Sequence, residues 1–287
     1  MFIRRKVFIT GAGRGLGNAL ARSLAHEGAH VFVTGLPNEE AELRELARDC
    51  GDSSAWAICD VRSMDQVTAA LQQANSILNG IDDVICNAGV ARQMVIEDPK
   101  FLEEFAVTMA VNATGSANTA IAALPYMNSG GYVFFMSSLA GYVSAPMIGS
   151  YNASKAAVRA FAETLRVELK PRGIKVGVGV FSELETEMTS IGFGTEAGEY
   201  LVGVRLFGRS FRIMPVAKSG PAVKAIAKAI RKQRRNADYP RRVRLLRLHP
   251  WVAQRTLEFY VGPRMKKARE KALAENSQRT TNLPPAP

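Results

Sequence analysis

The chain has 287 residues, of which 47% are apolar and 22% are charged. A chain of this length and apolar content can bury a core that needs no disulfides or structural metals. Cys50, Cys59 and Cys86 form no CxxC pair, and the histidines at 26, 30 and 249 form no ligand cluster. The sequence therefore argues against a disulfide framework, and no metal site is predicted.

The net charge of +11 comes from the C-terminal part of the chain. Between Arg231 and Pro287 there are 15 Lys/Arg and 4 Asp/Glu, whereas residues 1–230 carry 22 of each sign. This asymmetry predicts a neutral domain over residues 1–240 and a basic extension over 241–287, with a disordered end from 281. A strand pattern already begins at Lys6, and no stretch could span a bilayer. We expect a cytoplasmic protein, soluble or peripheral at a membrane.

Strand patterns alternate with helix patterns up to about residue 180. The predicted strands cover 6–10, 30–35, 55–60, 83–87, 131–137 and 174–180, and the predicted helices cover 15–28, 39–49, 63–79, 101–128 and 151–171. The strands are nearly continuous apolar runs, which are typical of parallel strands covered on both faces. The alternation predicts an α/β fold with a doubly wound parallel sheet, Rossmann-like, and a ligand site at the carboxyl ends of the strands.

A glycine-rich turn follows the first predicted strand. Gly11, Gly15 and Gly17 have the spacing GxxxGxG and lead directly into a helix pattern. Glycines at such a turn allow the backbone to approach a pyrophosphate, which binds at the helix N-terminus. A glycine-rich turn can also be a plain strand–helix connection, but its place after the first strand favours nucleotide binding.

Tyr151 and Lys155 lie four residues apart at the start of a strong helix pattern. Residues at this spacing share one helix face, so the phenol and the ammonium can be neighbours. A neighbouring cation lowers the pKa of a phenol, and such a tyrosine can exchange protons during a reaction. In isolation, the same pair is more often part of a solvated helix face.

The turn TGxxxGxG and the later YxxxK together resemble the classical short-chain dehydrogenase/reductase family. The resemblance covers about residues 5–190. Further residues match the family in order. Asp60-Val61 match the pair that contacts the adenine, and Asn87-Ala88-Gly89 match the motif after the fourth strand. Asn112 matches the catalytic Asn, and Ser138, thirteen residues before Tyr151, matches the catalytic Ser. Separately, these residues could cap or brace secondary structure; jointly they describe one site.

The resemblance implies an oxidoreductase that transfers a hydride between a nicotinamide and a carbonyl or alcohol carbon. It implies that Tyr151 exchanges the proton and that Ser138 hydrogen-bonds the substrate oxygen. Lys155 would bind the nicotinamide ribose and lower the pKa of Tyr151, and Asn112 would hold a water molecule. The implied coenzyme-binding set is Gly11, Arg14, Gly15, Leu16, Gly17, Gly35, Asp60, Val61, Asn87, Ala88, Gly89, Tyr151, Lys155 and Thr186.

The coenzyme prediction depends on the end of the second strand. Gly35 stands where NAD-binding relatives have an acid that bonds the ribose 2′-hydroxyl. Arg14 stands where NADP-binding relatives often have a basic residue, although Leu36 replaces another common Arg. We predict NADP(H), with NAD(H) as the alternative.

One departure from the family lies after the sixth strand. Phe181-Ser182 replaces the usual Pro-Gly, whereas Thr186 keeps its register for the carboxamide, and Glu183 and Glu185 add negative charge nearby. Residues 187–216 are rich in apolar and glycine residues and are predicted to form a substrate lid. An apolar lid predicts a hydrophobic ketone or secondary alcohol as substrate.

The remaining predictions concern partners. Cations alternate with apolar and aromatic residues over 241–269, which suits a membrane surface, a subunit interface or a solvated basic face. No nucleic-acid-binding module is recognised, so no nucleic acid is expected. The family resemblance implies a homodimer or homotetramer built on the helices at 101–128 and after Tyr151. The alternative function is a non-catalytic nucleotide-binding regulator or scaffold that acts through the basic tail.

Overall fold

The computed structural model describes residues 4–185, 195–206, 209–212 and 216–281. The predicted lid at 187–216 therefore falls only partly within the described residues. Thr186 and residues 282–287 of the predicted disordered end lie outside them, whereas Thr281 ends a described helix.

The secondary structure follows the predicted alternation, with additional elements after residue 195. The described strands are β1 (Lys6–Ile9), β2 (His30–Gly35), β3 (Ala55–Ile58), β4 (Ile81–Cys86), β5 (Met127–Met136), β6 (Lys175–Phe181), β7 (Gly203–Leu206), β8 (Arg209–Arg212) and β9 (Asn236–Tyr239). The described α-helices are α1 (Gly15–His26), α2 (Glu40–Asp49), α3 (Met64–Leu78), α4 (Phe101–Met109), α5 (Gly115–Ala123), α6 (Gly149–Glu168), α7 (Glu196–Val202), α8 (Ser219–Arg231), α9 (Val243–Leu248), α10 (Pro250–Val261) and α11 (Met265–Thr281).

Seven of these strands form one parallel sheet in the order β3-β2-β1-β4-β5-β6-β9. The chain moves outward from β1 to β3 and then returns to β4 beside β1, so the direction of winding switches between β1 and β4. This confirms the predicted doubly wound, Rossmann-like sheet. The edge strand β9 was not predicted, because Asn236-Ala237-Asp238-Tyr239 gives no apolar run.

Alternating side chains of the strands enter two separate cores. Val7 and Ile9 pack toward α1, α2 and α8, whereas Phe8 between them packs toward α3, α5 and α6. Phe8 stacks on Phe32 of the neighbouring strand, with 5.8 Å between ring centroids. Because both faces are covered, the strands must be apolar throughout, which is the pattern seen in the sequence.

The predicted helix over 101–128 is interrupted around Asn112. A π-helical turn, Ala110–Thr114, separates α4 from α5, and a 3-10 turn, Leu124–Tyr126, ends the segment at Pro125. π-Turns inside helices are rare and frequently occur at functional sites. Here the turn carries the fully buried Asn112.

The basic C-terminal segment folds back on the sheet domain. Val243 of α9 joins the core on the α6 side, and Arg247 forms a salt bridge to Asp238 of β9 at 2.7 Å. Further along, Ala268 and Ala272 of α11 are buried in a small apolar cluster with α7. A domain boundary at residue 240 stays a prediction. In the part of the chain that the structure describes, no helix has both the length and the apolar character needed to cross a membrane.

Candidate active site

A cavity of about 1270 Å³ opens at the carboxyl ends of the parallel strands. Its lining includes residues that follow β1 to β6, as expected for a ligand site at the switch point. All predicted site residues line this cavity except two: Asn112 is buried behind the wall, and Thr186 lies outside the described residues.

The glycine-rich turn is held against β4 by Asn87. The Asn87 side-chain amide donates to the carbonyl oxygens of Thr10 at 2.9 Å and Gly11 at 2.8 Å. A Cβ atom at Gly17 would lie 2.5 Å from Asn87 Nδ2, and one at Gly11 would lie 2.7 Å from Ala88 Cα. Only glycine allows this approach, so the sequence motif corresponds to a real packing constraint.

The first turn of α1 can receive an anion. Gly15 has φ +60° and nothing lies within 4 Å of the space a Cβ would take, so the backbone faces open cavity. No acidic residue lies in this first turn, where free N–H groups and the helix dipole favour negative charge. The cradle therefore fits the pyrophosphate of a dinucleotide.

Asp60 and Val61 mark the adenine end predicted from the sequence. Arg62 Nε donates to both carboxylate oxygens of Asp60, at 3.0 and 2.9 Å, and the guanidinium holds the pKa of Asp60 below its ordinary value. Val61 is fixed against α5, because a Cβ at Gly115 would lie 2.5 Å from Val61 Cγ2.

An acidic side chain, Glu39, reaches the end of β2 from the start of α2. Its Oε2 would lie 2.6 Å from a Cβ at Gly35 and 2.8 Å from one at Gly13. Oε2 also accepts a hydrogen bond from the Leu36 N–H at 3.2 Å, and Oε1 lies 3.1 Å from Arg14 Nε. The sequence has Gly35 where an acid would stand, but the 3-10 turn before α2 brings a carboxylate to this place from four residues downstream.

Tyr151 and Lys155 share one face of α6 beside the end of β5. Lys155 Nζ lies 5.5 Å from the centroid of the Tyr151 ring and donates to the carbonyl oxygen of Met136 at 2.8 Å. A Cβ at Gly89 would lie 3.4 Å from the same Nζ. The predicted neighbours are thus brought together in the cavity wall.

Burial determines the proton affinities of this pair. Burial raises the pKa of Tyr151 to about 12, and a hydrogen bond with Ser138 opposes that rise only in part. Burial lowers the pKa of Lys155 to about 8. The sequence predicts a lowered pKa for Tyr151, and in the structure desolvation outweighs the cation.

Ser138 caps the short turn after β5 and faces Tyr151. Its hydroxyl accepts the Ala140 N–H at 3.1 Å and donates to the Phe181 carbonyl at 3.3 Å. Ser182, which follows Phe181, lines the cavity, and its hydroxyl is buried with no hydrogen-bond partner among the described residues. The Phe181-Ser182 departure therefore places an unused donor where the family has none.

Asn112 connects three segments around the site. Its amide donates to the Val90 carbonyl and to Ser154 Oγ, each at 2.9 Å, and its Oδ1 accepts the Val90 N–H at 2.8 Å. Both side-chain donors are thus used by the protein. The geometry makes Asn112 a brace between the loop after β4 and helix α6.

The rest of the cavity wall is largely apolar. Val107 and Val111 border one side, and α10 contributes Ala253 and Leu257 to another. Leu201 of α7, a described part of the predicted lid, also lines the wall. A ligand here contacts aliphatic surface over most of its area.

Comparisons with known proteins agree with this geometry. The sequence profile described as "short chain dehydrogenase" matches residues 5–193. The chain is 31% identical over 232 residues to 11-beta-hydroxysteroid dehydrogenase 1A of Arabidopsis thaliana, covering 79% of this chain and 66% of that protein. It is 33% identical over 180 residues to glucose 1-dehydrogenase of Gluconobacter oxydans, covering 61% of this chain and 67% of that protein. The chain belongs to the short-chain dehydrogenase family.

Solved structures show the same fold. A dehydrogenase/reductase from Sinorhizobium meliloti superposes with a TM-score of 0.68 at 25% identity, covering 82% of this chain and 94% of the other. The 3-ketoacyl-(acyl-carrier-protein) reductase from Brucella melitensis, complexed with NADH, gives a TM-score of 0.71 at 23% identity, covering 83% and 98%.

Sequence reasoning missed three residues of this short-chain dehydrogenase site. Thr10 Oγ1 accepts the N–H groups of Asn87 at 3.1 Å and Ala88 at 3.2 Å, which locks the switch point. Ser154 anchors Asn112, and Glu39 approaches the ribose end. Thr10 and Ser154 adjoin the recognised motifs and could have been found there, whereas no local signal distinguishes Glu39 from an ordinary helix start.

Proposed function

We propose that the protein is an NAD(P)(H)-dependent oxidoreductase acting on a hydrophobic ketone or secondary alcohol. The observation that supports this most directly is the convergence of Ser138, Tyr151 and Lys155 on an apolar cavity that continues into the glycine cradle. The bound nicotinamide would supply or accept the hydride.

The side chains at the carbonyl end would manage the proton. Because Tyr151 keeps its proton at neutral pH, it can donate it to the alkoxide that forms during reduction. Ser138, already oriented by the Ala140 N–H and the Phe181 carbonyl, would hold the substrate oxygen beside the phenol. Lys155 would place a positive charge below the phenol and bind the ribose hydroxyls.

Replacement of Tyr151 tests this role. Tyr151→Phe keeps the ring but removes the proton, so we expect turnover to fall by about 100-fold or more with coenzyme affinity nearly unchanged. Turnover is measured with a panel of carbonyls and alcohols, and affinity by fluorescence titration. Tyr142→Phe, just outside the cavity, is the matched control.

The alternative, a non-catalytic nucleotide-binding regulator, makes a different prediction. The wild-type protein would bind coenzyme but turn over no carbonyl or alcohol of the panel. Unchanged turnover in Tyr151→Phe would instead contradict the proposed proton donor.

For the coenzyme, the residues of the cleft support two opposite assignments. Gly35 and Arg14 favour NADP(H), as predicted from the sequence. Glu39 favours NAD(H), because its carboxylate lies against Gly35 and already pairs with Arg14, the cation that would receive a 2′-phosphate. We propose that Glu39 decides in favour of NAD(H), since a carboxylate accepts the ribose 2′-hydroxyl and repels a phosphate.

The Glu39→Gln variant tests this assignment. We expect kcat/KM for NADPH, relative to NADH, to rise by about tenfold or more, because the repelling charge is lost and Arg14 is released. Glu42→Gln, an exposed carboxylate on the same helix, is the control. A wild-type preference for NADPH would refute the proposal and restore the prediction made from the sequence.

At the nicotinamide end we propose that Ser182 bonds the carboxamide. Ser182 and Ser138 both line the cavity, and the buried Ser182 hydroxyl lacks a partner among the described residues, so a small rotation would offer it to a ligand. Ser182→Ala should weaken coenzyme binding by about 5- to 10-fold, which is the ordinary value of one lost hydrogen bond.

A homodimer or homotetramer remains our proposal for the assembly. Leu102 of α4 and Val167 of α6 are exposed apolar side chains on the two helices predicted to form the interface. On the same helix α6, Leu165 is buried in the core, and the half-buried Phe161 contacts Phe135 edge to face. Light scattering tests the proposal, and a monomeric mass would contradict it.

A further inference from the structure

The helices α9 and α10 carry a concentration of exposed apolar side chains. Six of the fourteen large exposed hydrophobics among the described residues lie within 245–260. Trp251 is 72% exposed and Phe259 is 77% exposed, and Leu248 lies exposed on the preceding helix. Scattered exposed apolar residues are ordinary, but a concentration of this kind marks an interaction surface.

The exposed residues form a stripe along α10. Trp251, Arg255 and Phe259 are spaced by four residues and therefore lie on one helix face. The neighbouring stripe, Val252, Thr256 and Tyr260 at the same spacing, lines the cavity, while Val252 and Tyr260 remain 44% and 46% exposed. The exposed stripe therefore borders the mouth of the cavity.

The charge of this surface selects its partner. Between Arg241 and Tyr260 there are five Lys/Arg and one acidic residue, Glu258. Arg247 is used internally by Asp238, but Arg244 and Arg255 are exposed on the same two helices. A second copy of the chain would bring like charges together across a two-fold axis. An anionic bilayer instead accepts cations at its headgroups and aromatic rings at its boundary.

We propose that the α9–α10 surface, residues 241–260, docks the protein peripherally on anionic membranes. Trp251 and Phe259 enter the headgroup–acyl boundary, and Arg244 and Arg255 contact lipid phosphates. The mouth of the cavity then faces the bilayer, so that an apolar substrate passes from lipid to the site. The docking stands by itself, whereas the delivery of substrate rests on the function proposed above.

Co-sedimentation with vesicles tests the docking. The full-length protein is mixed with phosphatidylcholine vesicles, either pure or with about one third phosphatidylglycerol. We expect binding to the anionic vesicles only. The double variant Trp251→Ser/Phe259→Ser should lose about tenfold or more in partitioning, because two exposed apolar side chains no longer enter the boundary. Arg244→Gln/Arg255→Gln should weaken binding to the anionic vesicles.

The matched control is Ile77→Ser/Ile96→Ser, which removes two exposed apolar side chains from other surfaces. It should bind as the wild type does. Thermal melts and turnover of a water-soluble carbonyl verify that each variant is folded, since Trp251 and Phe259 do not line the cavity. If vesicles bind but no carbonyl is turned over, the docking stands and the proposed function fails.

Three outcomes would overturn the docking proposal. The wild type could remain in the supernatant with anionic vesicles, or the Trp251→Ser/Phe259→Ser variant could bind as tightly as the wild type. Alternatively, light scattering could show that this variant halves the mass of the protein, in which case the surface is a contact between copies of the chain.

Discussion

Buried charges are arranged differently at the two ends of the parallel strands, namely the amino edge of the sheet, where the strands begin, and the carboxyl edge, where they end. At the amino edge, Arg5 donates to both oxygens of Asp83, each at 2.6 Å, and the carboxylate is completely buried. At the carboxyl edge, Lys155 is buried without a salt bridge to any described residue and donates to one carbonyl, that of Met136. The charges at the amino edge form an ion pair, whereas the cation at the carboxyl edge borders a ligand cavity and has no described carboxylate partner.

This difference separates a structural charge from a functional one. A buried ion pair holds its geometry but contributes little net stability, because desolvation offsets the attraction. A buried cation without a carboxylate costs stability and remains only where another requirement keeps it. In the proposed function that requirement is the proton chemistry of Tyr151.

The largest expected effect is on Lys155. Lys155→Met should lower turnover by about 100-fold or more and should stabilise the fold at pH 7 by about 1–3 kcal/mol. The gain follows from the pKa of Lys155, which burial lowers from 10.5 to about 8, so the folded state loses stability as pH falls from 10.5 to about 8 and carries the full cost below that. Urea denaturation and steady-state kinetics measure the two effects.

The pH dependence provides the control for Lys155→Met. The stabilisation should disappear above pH 10.5, where the amine becomes neutral in both states. In the wild type, carbonyl reduction should decline above pH 8, as the amine loses its charge. A variant that is both less stable and fully active would contradict the contrast between the edges.

A smaller effect is expected at the glycine cradle of the carboxyl edge. In Gly17→Ala the new methyl would lie 2.5 Å from Asn87 Nδ2 and from the Gly11 carbonyl oxygen. We expect a destabilisation of about 1–3 kcal/mol together with weaker coenzyme binding, measured by thermal melts and fluorescence titration. Gly220→Ala in α8, where nothing lies within 4 Å, should be neutral or slightly stabilising. Equal behaviour of the two variants would refute the close approach.

The carboxyl edge was predictable because its geometry restricts residue types. Gly11 and Gly17 are required by contacts with Ala88 and Asn87, so the spacing in the sequence records the packing. The covered strands must be apolar on both faces, and the resulting apolar runs predicted six of the seven strands of the main sheet. Residues whose type is restricted in this way leave a signal that sequence reasoning can read.

The remaining features do not restrict residue type and leave no such signal. Strand β9 is short and polar, and it pairs with β6 because the chain returns beside it, not because of its composition. Glu39 reaches Gly35 only through the 3-10 turn before α2. Burial raises the pKa of Tyr151, whereas the four-residue spacing to Lys155 indicates only that a cation lies nearby.

The last expected effect, on stability alone, concerns Asp83 at the amino edge. Burial raises the pKa of Asp83 from 3.8 to about 6, against the opposing pull of Arg5. An acid with a raised folded pKa stabilises most when protonated, so its contribution should fall by about 2–3 kcal/mol as pH rises from 4 to above 6. Asp83→Asn cannot titrate, so its free energy of unfolding relative to the wild type should increase over this range.

Urea denaturation at several pH values measures the change, and Asp52→Asn on an exposed turn reports the general effect of removing one negative charge. The free energy of unfolding of Asp83→Asn relative to the wild type could instead stay constant with pH. Arg5 would then fully offset the burial of the carboxylate, and the buried charge at the amino edge would not destabilise the fold as inferred for Lys155.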